Sequence, residues 1–442
     1  MISIRRYTLI SFVLMFVVCI YNYSTASKGI QKGEHKKIQK EGQNDEQELL
    51  SGNVFTDTER SFNVLLVDKS KENLYIVEVK DNVPNIAKNL SVITGKNGGD
   101  KLKEGDHKTP EGIYFVTKYI PPERLDKSVF GEGAWPLNYP NIVDRYMGKT
   151  GHGIWIHGRG PNRTDERTKG CVSLQNSDIE GIKPYIAPST PVVIASSLEF
   201  LRAEDYKKKR KLYFDIFRGF ISSWEKGDFE GFANYFDTSF KDADGLTSTN
   251  YLSKKKQLMK TYPDRKVITS DISIFTENSK DLMYKFNQLY CASNMLSYGT
   301  KKLYLKMGGD KDYRIIAEEF DETGIDTLME RHVMSLIGKW QGSWQGKDIE
   351  RYMSFYSQSF YSDNMDHKQW KTHKKGLFRT SRTIKVDIRN IDIKLIAPQK
   401  VQVAFKQRYS SDTVSDTGTK TLILSGCPGD YKIMSETWRA GS

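Results

Sequence analysis

The chain has 442 residues, 38% hydrophobic and 28% charged, with a formal net charge of +12. Such a composition excludes a collagen-like or wholly disordered chain, and roughly 100 to 200 residues per domain gives two to four domains. The charge invites a nucleic-acid partner, but the lysines are dispersed and the aromatics fall at core-like spacings, so none is expected; a basic surface suits an anionic envelope polymer equally well.

Arg5 and Arg6 precede an apolar run from about Thr8 to Tyr21. That run is shorter than the roughly 20 residues of a bilayer span, and its length and positive flank match a signal peptide. Residues 1–27 therefore read as a signal peptide, or as an uncleaved membrane anchor if the loose site at Ser24-Thr25-Ala26-Ser27 is not cut, and either directs the chain to the periplasm. Residues 28–58 follow as a flexible linker, because the Lys, Glu, Gln and Gly that dominate as far as Ser51 bury too little surface to offset their ordering entropy.

Residues 59–200 form a mainly-β domain. From Phe62, V-L-L-V-D and N-L-Y-I-V-E-V make a hairpin turning through Lys69 to Glu72, and short β-runs follow at Leu90 to Thr94, Gly112 to Lys118, Gly153 to His157 and Pro191 to Ile194. Ser177 and Glu180 carry the spacing of a helix capping box.

After Ser197 the pattern becomes helical, with Tyr213, Phe217, Phe220 and Trp224 on one face and Asp228 capping a second helix. The design recurs: the run from Trp224 aligns with the run from Trp344, and F-N-Q-L-Y at Phe286 answers F-K-Q-R-Y at Phe405. G-T-K-K-L-Y-L at Gly299 likewise answers G-T-K-T-L-I-L at Gly418. Residues 204–322 and 326–442 are thus a tandem duplication of one α+β domain. The S-W-x-x-x-D-[FI] helix junction resembles the nuclear-transport-factor-2-like fold, a curved sheet wrapped by helices. Cys291 and Cys427 fall in different copies, which argues against a bond between them.

The chemistry concentrates in I-W-I-H-G-R-G-P-N-R-T-D-E-R-T-K-G-C-V-S-L, Ile154 to Leu174. His157 closes a strand and Cys171 returns ahead of a short helix, so the imidazole can draw the proton from the thiol and leave the nucleophilic thiolate. Gly170 permits close backbone approach, and the Gly170 and Cys171 amides are the candidate oxyanion donors, with Lys169 adding positive charge. Arg159, Arg163 and Arg167 are placed to clamp substrate carboxylates, and Trp135, Tyr139 and Arg145 are candidates for a substrate wall. His107, His152 and His157 form no metal-ligand set with the cysteines, and there is no phosphate or dinucleotide fingerprint, so neither metal nor cofactor is expected.

I-H-G at Ile156 to Gly158 with T-K-G-C-V at Thr168 to Val172 resembles the signature of the L,D-transpeptidase (YkuD-type) family. T-P-E-G-I-Y from Thr109 and P-L-N-Y-P-N from Pro136 match in the family's order. The resemblance implies a β-rich sandwich acting on peptidoglycan stem peptides through a thioester at the meso-diaminopimelate carbonyl. An amine acceptor then gives a cross-link, and water gives carboxypeptidase trimming of the kind that sets cell shape. Carried over, Cys171 is the nucleophile, His157 the base and the Gly158 carbonyl the group that orients the imidazole; Lys169 and Ser173 depart from the usual pattern. The rival reading is an inert wall-binding scaffold. In either case one α+β copy is expected to pack on the catalytic face, and the other to hold glycan or an envelope protein through Lys368, Lys371, Lys374 and Lys375.

Overall fold

The computed structural model describes residues 49–160 and 167–441. The N-terminal segment read as signal peptide or anchor, most of the expected linker, and Arg163 lie outside the described residues. Among the described residues no helix is long and apolar enough to cross a membrane.

The linker is shorter than expected, because its last residues are folded. Two short strands, β1 Leu50–Ser51 and β2 Val54–Asp57, stand where the composition signalled only a tether. Val54 and Phe55 are completely buried, and Phe55 stacks on Tyr206 at 4.9 Å and meets Tyr213 edge-on at 5.1 Å. A four-residue strand at the edge of a polar tract is too short to stand out by periodicity.

The expected hairpin follows as β3 Phe62–Asp68 and β4 Asn73–Lys80, then β5 Val83–Ile93, β6 Gly112–Phe115, β7 Ala134–Pro136, β8 Trp155–Gly158, β9 Val172–Leu174, β10 Pro191–Ala195 and the short β11 Phe200–Leu201. Three short helices intervene: α1 Lys127–Phe130, α2 Ile142–Tyr146 and α3 Asn176–Ile182. The capping box expected at Ser177 does not form: Asn176 already begins the helix, so Ser177 lies within its first turn. Eight strands form one sheet in the order β6-β10-β3-β4-β5-β9-β8-β7. Because side chains alternate across a strand, Leu65, Val67, Leu74 and Ile76 enter one core while Val64, Leu66, Tyr75 and Val77 enter another.

The first α+β copy comprises α4 Ala203–Lys226, α5 Phe229–Ala233, β12 Phe236–Asp242, α6 Ser248–Thr261, β13 Lys266–Thr276, β14 Asp281–Ala292, β15 Met295–Met307 and β16 Tyr313–Glu322. Asp228 caps α5 through the Gly231 amide, as its position predicts. Its sheet runs β12-β16-β15-β14-β13-β2, so a strand from ahead of the β-rich domain completes its edge. The back of this sheet supplies Phe275, Met283, Tyr304 and Ala317 to the core that holds Val64, Leu66, Tyr75 and Val77. The β-rich domain and copy one therefore share a core.

Copy two repeats the plan with α7 Asp326–Gln345, α8 Ile349–Ser354, a ribbon of β17 Tyr361–Ser362 and β18 Met365–Asp366, α9 His367–Thr380, then β19 Ile384–Ala397, β20 Lys400–Ser411, β21 Ser415–Ser425 and β22 Lys432–Ala440. Cys291 and Cys427 are joined in a disulfide, contrary to expectation. Although they lie in different copies, the two cysteines meet where the copies abut, and Leu289, Leu296, Tyr298, Ile325 and Leu328 pack round the two sulfurs. Lys266 with Asp430, at 2.7 Å, also bridges the copies.

Because Phe55 sits in the core of copy one, Phe55→Ala should lower stability by about 3–5 kcal/mol, read as a shift in the denaturant midpoint. A chain beginning at residue 59 should be destabilised at least as much. Unchanged midpoints for both would mean that β2 is dispensable.

Candidate active site

The end of β5 meets β9, which runs parallel to β8, so that Ile93 and His157, near the end of β8, both lie opposite Ser173. Cys171 immediately precedes β9, and because paired residues share a face, His157 and Ser173 lie on one side of the sheet. That face is also the one on which Tyr75 and Val77 meet copy one. Copy one and His157 thus lie on one face of the sheet.

His157 is buried, with Nδ1 2.6 Å from the Gly158 carbonyl oxygen. A carbonyl only accepts, so Nδ1 carries a proton, and in the neutral ring Nε2 is the basic nitrogen. Phe130 meets the ring edge-on at 5.2 Å, and the Ser173 hydroxyl donates to the same Gly158 carbonyl at 3.4 Å. Cys171 is half-buried, with Sγ 3.5 Å from the Gly153 carbonyl oxygen.

The loop that carries the cysteine is held by backbone. Thr168 bonds in both directions to the chain after β5, its amide to Thr94 and its carbonyl to the Lys96 amide, and its hydroxyl donates to the Cys171 carbonyl at 2.6 Å. The Gly170 amide, expected to face an oxyanion, instead donates to the Thr168 hydroxyl oxygen at 3.0 Å. That correction leaves the Cys171 amide as the remaining expected donor. Gly170 has φ +134°, and a Cβ there would lie 2.9 Å from the Lys108 carbonyl oxygen, so only glycine fits.

Thr109 was quoted in the sequence without a role. It is completely buried; its hydroxyl accepts from the Gly95 amide at 2.8 Å and donates to the Gly170 carbonyl at 2.9 Å. One hydroxyl therefore ties the end of β5 to the residue before the cysteine. No spacing rule marks such a bridge, because its partners lie 14 and 61 residues away.

The remaining candidates divide. Trp135 and Tyr139 are not a substrate wall: they are 1% and 5% exposed, packed in the core of the β-rich domain. Aromatic bulk in a turn-rich run was mistaken for a binding surface. Arg145 donates to the Pro140 carbonyl at 2.8 Å. Arg159 is partly buried with its Nε unpaired, Arg167 is engaged by Glu72, and Lys169 is exposed. Lys374 does not belong to an exposed basic cluster, since it is buried between Trp344 and Trp370 at 4.9 and 4.5 Å from their rings. Lys371 is paired with Glu350 at 2.7 Å.

Lys374 also belongs to a matched set that the repeat alignment did not single out. In copy one, Glu318 bonds Lys301 at 2.8 Å and Tyr251 at 2.7 Å, with Lys255 and Lys301 over the Trp224 ring. In copy two, Glu436 is engaged by Lys420 and bonds Tyr356 at 2.8 Å, with Lys374 and Lys420 over Trp344. Burial alone would raise both carboxyls, but Lys301 with Lys255 and Lys420 with Lys374 outweigh it and hold them low. Burial, reinforced by the neighbouring lysine, brings Lys255 and Lys374 down to about 8.

Residues 63–194 match the L,D-transpeptidase catalytic domain family (YkuD), and residues 215–319 and 332–437 each match the Cds6 C-terminal NTF2-like domain. Among curated proteins, YafK of Escherichia coli K12, named as a candidate L,D-transpeptidase, is 30% identical over 134 residues, or 29% of this chain and 48% of that protein. The chain thus spans about half the length of the curated relatives it matches. Among solved structures, Bd1075 of Bdellovibrio bacteriovorus is 30% identical with a TM-score of 0.57, over 62% of this chain and 99% of its own. The helical cell shape determining protein Pgp2 of Campylobacter jejuni is 27% identical with a TM-score of 0.51, over 62% and 96%.

Two outcomes test these assignments. Thr109→Val keeps the shape but strands the Gly95 amide and the Gly170 carbonyl, so it should cost about 1–3 kcal/mol and slow any chemistry at Cys171 with the thiol still present. Glu436→Gln leaves two buried lysines facing each other and should cost about 3–5 kcal/mol, whereas Lys374→Met should be neutral or stabilising. The sign is checkable by pH. With a folded value near 8 against an ordinary 10.5, the unfolded chain binds the Lys374 proton between those limits and the folded chain does not. Stability should therefore rise with pH across that window, and less so in Lys374→Met.

Proposed function

The chain belongs to the L,D-transpeptidase (YkuD-type) family with C-terminal nuclear-transport-factor-2-like domains, and we propose that it is an exported cysteine acyltransferase of peptidoglycan, acting in the periplasm. The observation that carries this reading is the bond from His157 Nδ1 to the Gly158 carbonyl at 2.6 Å, on a strand paired in parallel with β9, which Cys171 immediately precedes. It leaves Nε2 as the base for the thiol. In the reaction so read, Nε2 takes the Cys171 proton and Sγ attacks the meso-diaminopimelate carbonyl of a stem peptide. The amide to D-Ala breaks, the leaving amine takes the proton from the imidazolium, and the acyl group stays on sulfur as a thioester. An amine acceptor resolves it to an L,D-cross-link; water resolves it to a trimmed stem, an L,D-carboxypeptidase outcome.

The similarity to Pgp2, whose name records a role in helical cell shape, supports a wall-remodelling role. Within it, residues 59–200 are the catalytic domain and copy one restricts which stems enter, since it adjoins the sheet face that bears His157. Copy two, at residues 326–442, holds glycan or an envelope protein.

The rival is an inert scaffold acting through the tandem domains. Incubation with a carbapenem, read by intact mass, separates the two: the acyltransferase should gain one adduct on Cys171 and Cys171→Ser should gain none, with the unfolding midpoint unchanged. A wild-type protein that stays unmodified, or a Ser variant that still turns over muropeptides, would sink the assignment of Cys171 as nucleophile.

A further inference from the structure

Between the catalytic domain and copy one lies a cavity of about 260 Å³. On one side it is walled by the segment between β5 and β6 and by α2, and on the other by the turn between β13 and β14. Carboxylates line it from both sides: Asp100, Glu111 and Asp144 from the catalytic domain, Glu277 and Asp281 from copy one.

The two sides differ in how their charge is met. Lys149 bonds Asp100 at 2.6 Å and Asp144 at 2.9 Å, and Lys69 bonds Glu111 at 2.9 Å. On the copy-one side Asn278 Nδ2 reaches Asp281 at 2.9 Å and Glu277 Oε1 at 3.3 Å, while Glu277 Oε2 is shut off from solvent with no hydrogen-bond partner. Burial pushes the Glu277 carboxyl up to about 8, and Asp281, Asp100 and Glu111 push the same way against Lys149. The remaining charged group on the lining is Lys306, which is exposed. On the copy-one side the cavity thus leaves one carboxyl oxygen, Glu277 Oε2, without a partner.

We propose that this cavity binds an organic ammonium group, with Glu277 and Asp281 as its acceptors. Resting on the acyltransfer reading, the group is the charged amine of an amine-bearing peptide that approaches the thioester. Among the described residues no three His, Cys, Asp or Glu side chains are arranged to ligate a metal, so these carboxylates suit a donor that reaches them through separate N–H bonds. The location fits as well. The segment bearing Asp100 and Glu111 is the one whose Lys108 carbonyl and Thr109 hydroxyl back Gly170, so an occupant would press on the wall behind the Cys171 loop.

Occupancy has a proton signature. With a folded value near 8, Glu277 holds its proton at neutral pH, and a bound cation favours the ionised form. Binding should therefore release a proton at pH 7 and strengthen as pH rises towards 8.

The test uses the full-length Cys171→Ala protein, so that binding is read without turnover. Calorimetry with cadaverine and with Nα-acetyl-lysine amide, in two buffers of different ionisation enthalpy at pH 7, should show saturable binding with proton release. Glu277→Gln should weaken it at least tenfold and abolish the proton release, with the unfolding midpoint not lowered; Asp281→Asn should also weaken it. No binding, binding without proton release, an unaffected Glu277→Gln, or saturable Mg²⁺, Ca²⁺ or Zn²⁺ binding in place of the amines would overturn the proposal. Absent amine binding with a carbapenem adduct on Cys171 overturns the cavity assignment alone, whereas amine binding without that adduct overturns the acyltransfer reading and with it the identity given to the amine.

Discussion

The pairing of β2 with β13, from Asp57 opposite Ile272 to Val54 opposite Phe275, is the constraint on which the rest depends. A strand that precedes the catalytic domain in the chain completes the sheet of the domain that follows it. Nearby, β1 pairs with β11, Leu50 opposite Leu201, and ties the entry of the catalytic domain to its exit just ahead of α4. With both ends clamped and a core shared through Phe275, Met283 and Tyr304, the catalytic sheet cannot rock against copy one without breaking backbone bonds and exposing apolar surface. The junction cavity and the segment behind Cys171 inherit that rigidity.

Duplication preserved one part of the domain and released another. The Trp, Lys, Glu and Lys set recurs, because loss of the shared carboxylate would leave two buried cations unpaired. The back of the sheet diverged. The cross-strand row Phe275, Met283, Tyr304, Ala317 of copy one corresponds to Lys394, Gln402, Ile423, Ser435 in copy two, at the same pairings. The first row can bury against another sheet, and the second, bearing an exposed lysine, cannot do so cheaply. Copy two is held instead through its edge by the Cys291–Cys427 bond. Among the described residues β19 also has no second neighbour, where the equivalent β13 has β2.

Legibility followed the range of the interactions. The hairpin at Phe62, the helix capped by Asp228 and the duplication were readable because their signals are local or repeat. His157 and Cys171 stand out in the sequence because glycines and a short spacer mark them. What escaped depended on distant partners: β2 needs β13 more than 200 residues on, Thr109 needs Gly170, and Cys291 needs Cys427. Trp135, Tyr139 and Lys374 failed for a related reason, since residue type alone does not say which face of a sheet or helix is covered.

The hydrogen-bond acceptor at His157 sets what the surrounding structure must supply. A carboxylate in that position would both orient the ring and stabilise the imidazolium that forms, whereas the Gly158 carbonyl fixes the tautomer while contributing only a partial charge. In the proposed acyl transfer more of the work then falls on position: on the ring seated against Phe130, on the cysteine loop pinned through Thr168 and Thr109, and on the backbone dipoles around them. Positional catalysis is sensitive to small displacements. Under the proposed acyl transfer, that sensitivity gives a physical reason for a sheet locked to copy one by shared strands and a shared core, since anything that shifts the segment between β5 and β6 is transmitted through Thr109 to the residue beside Cys171.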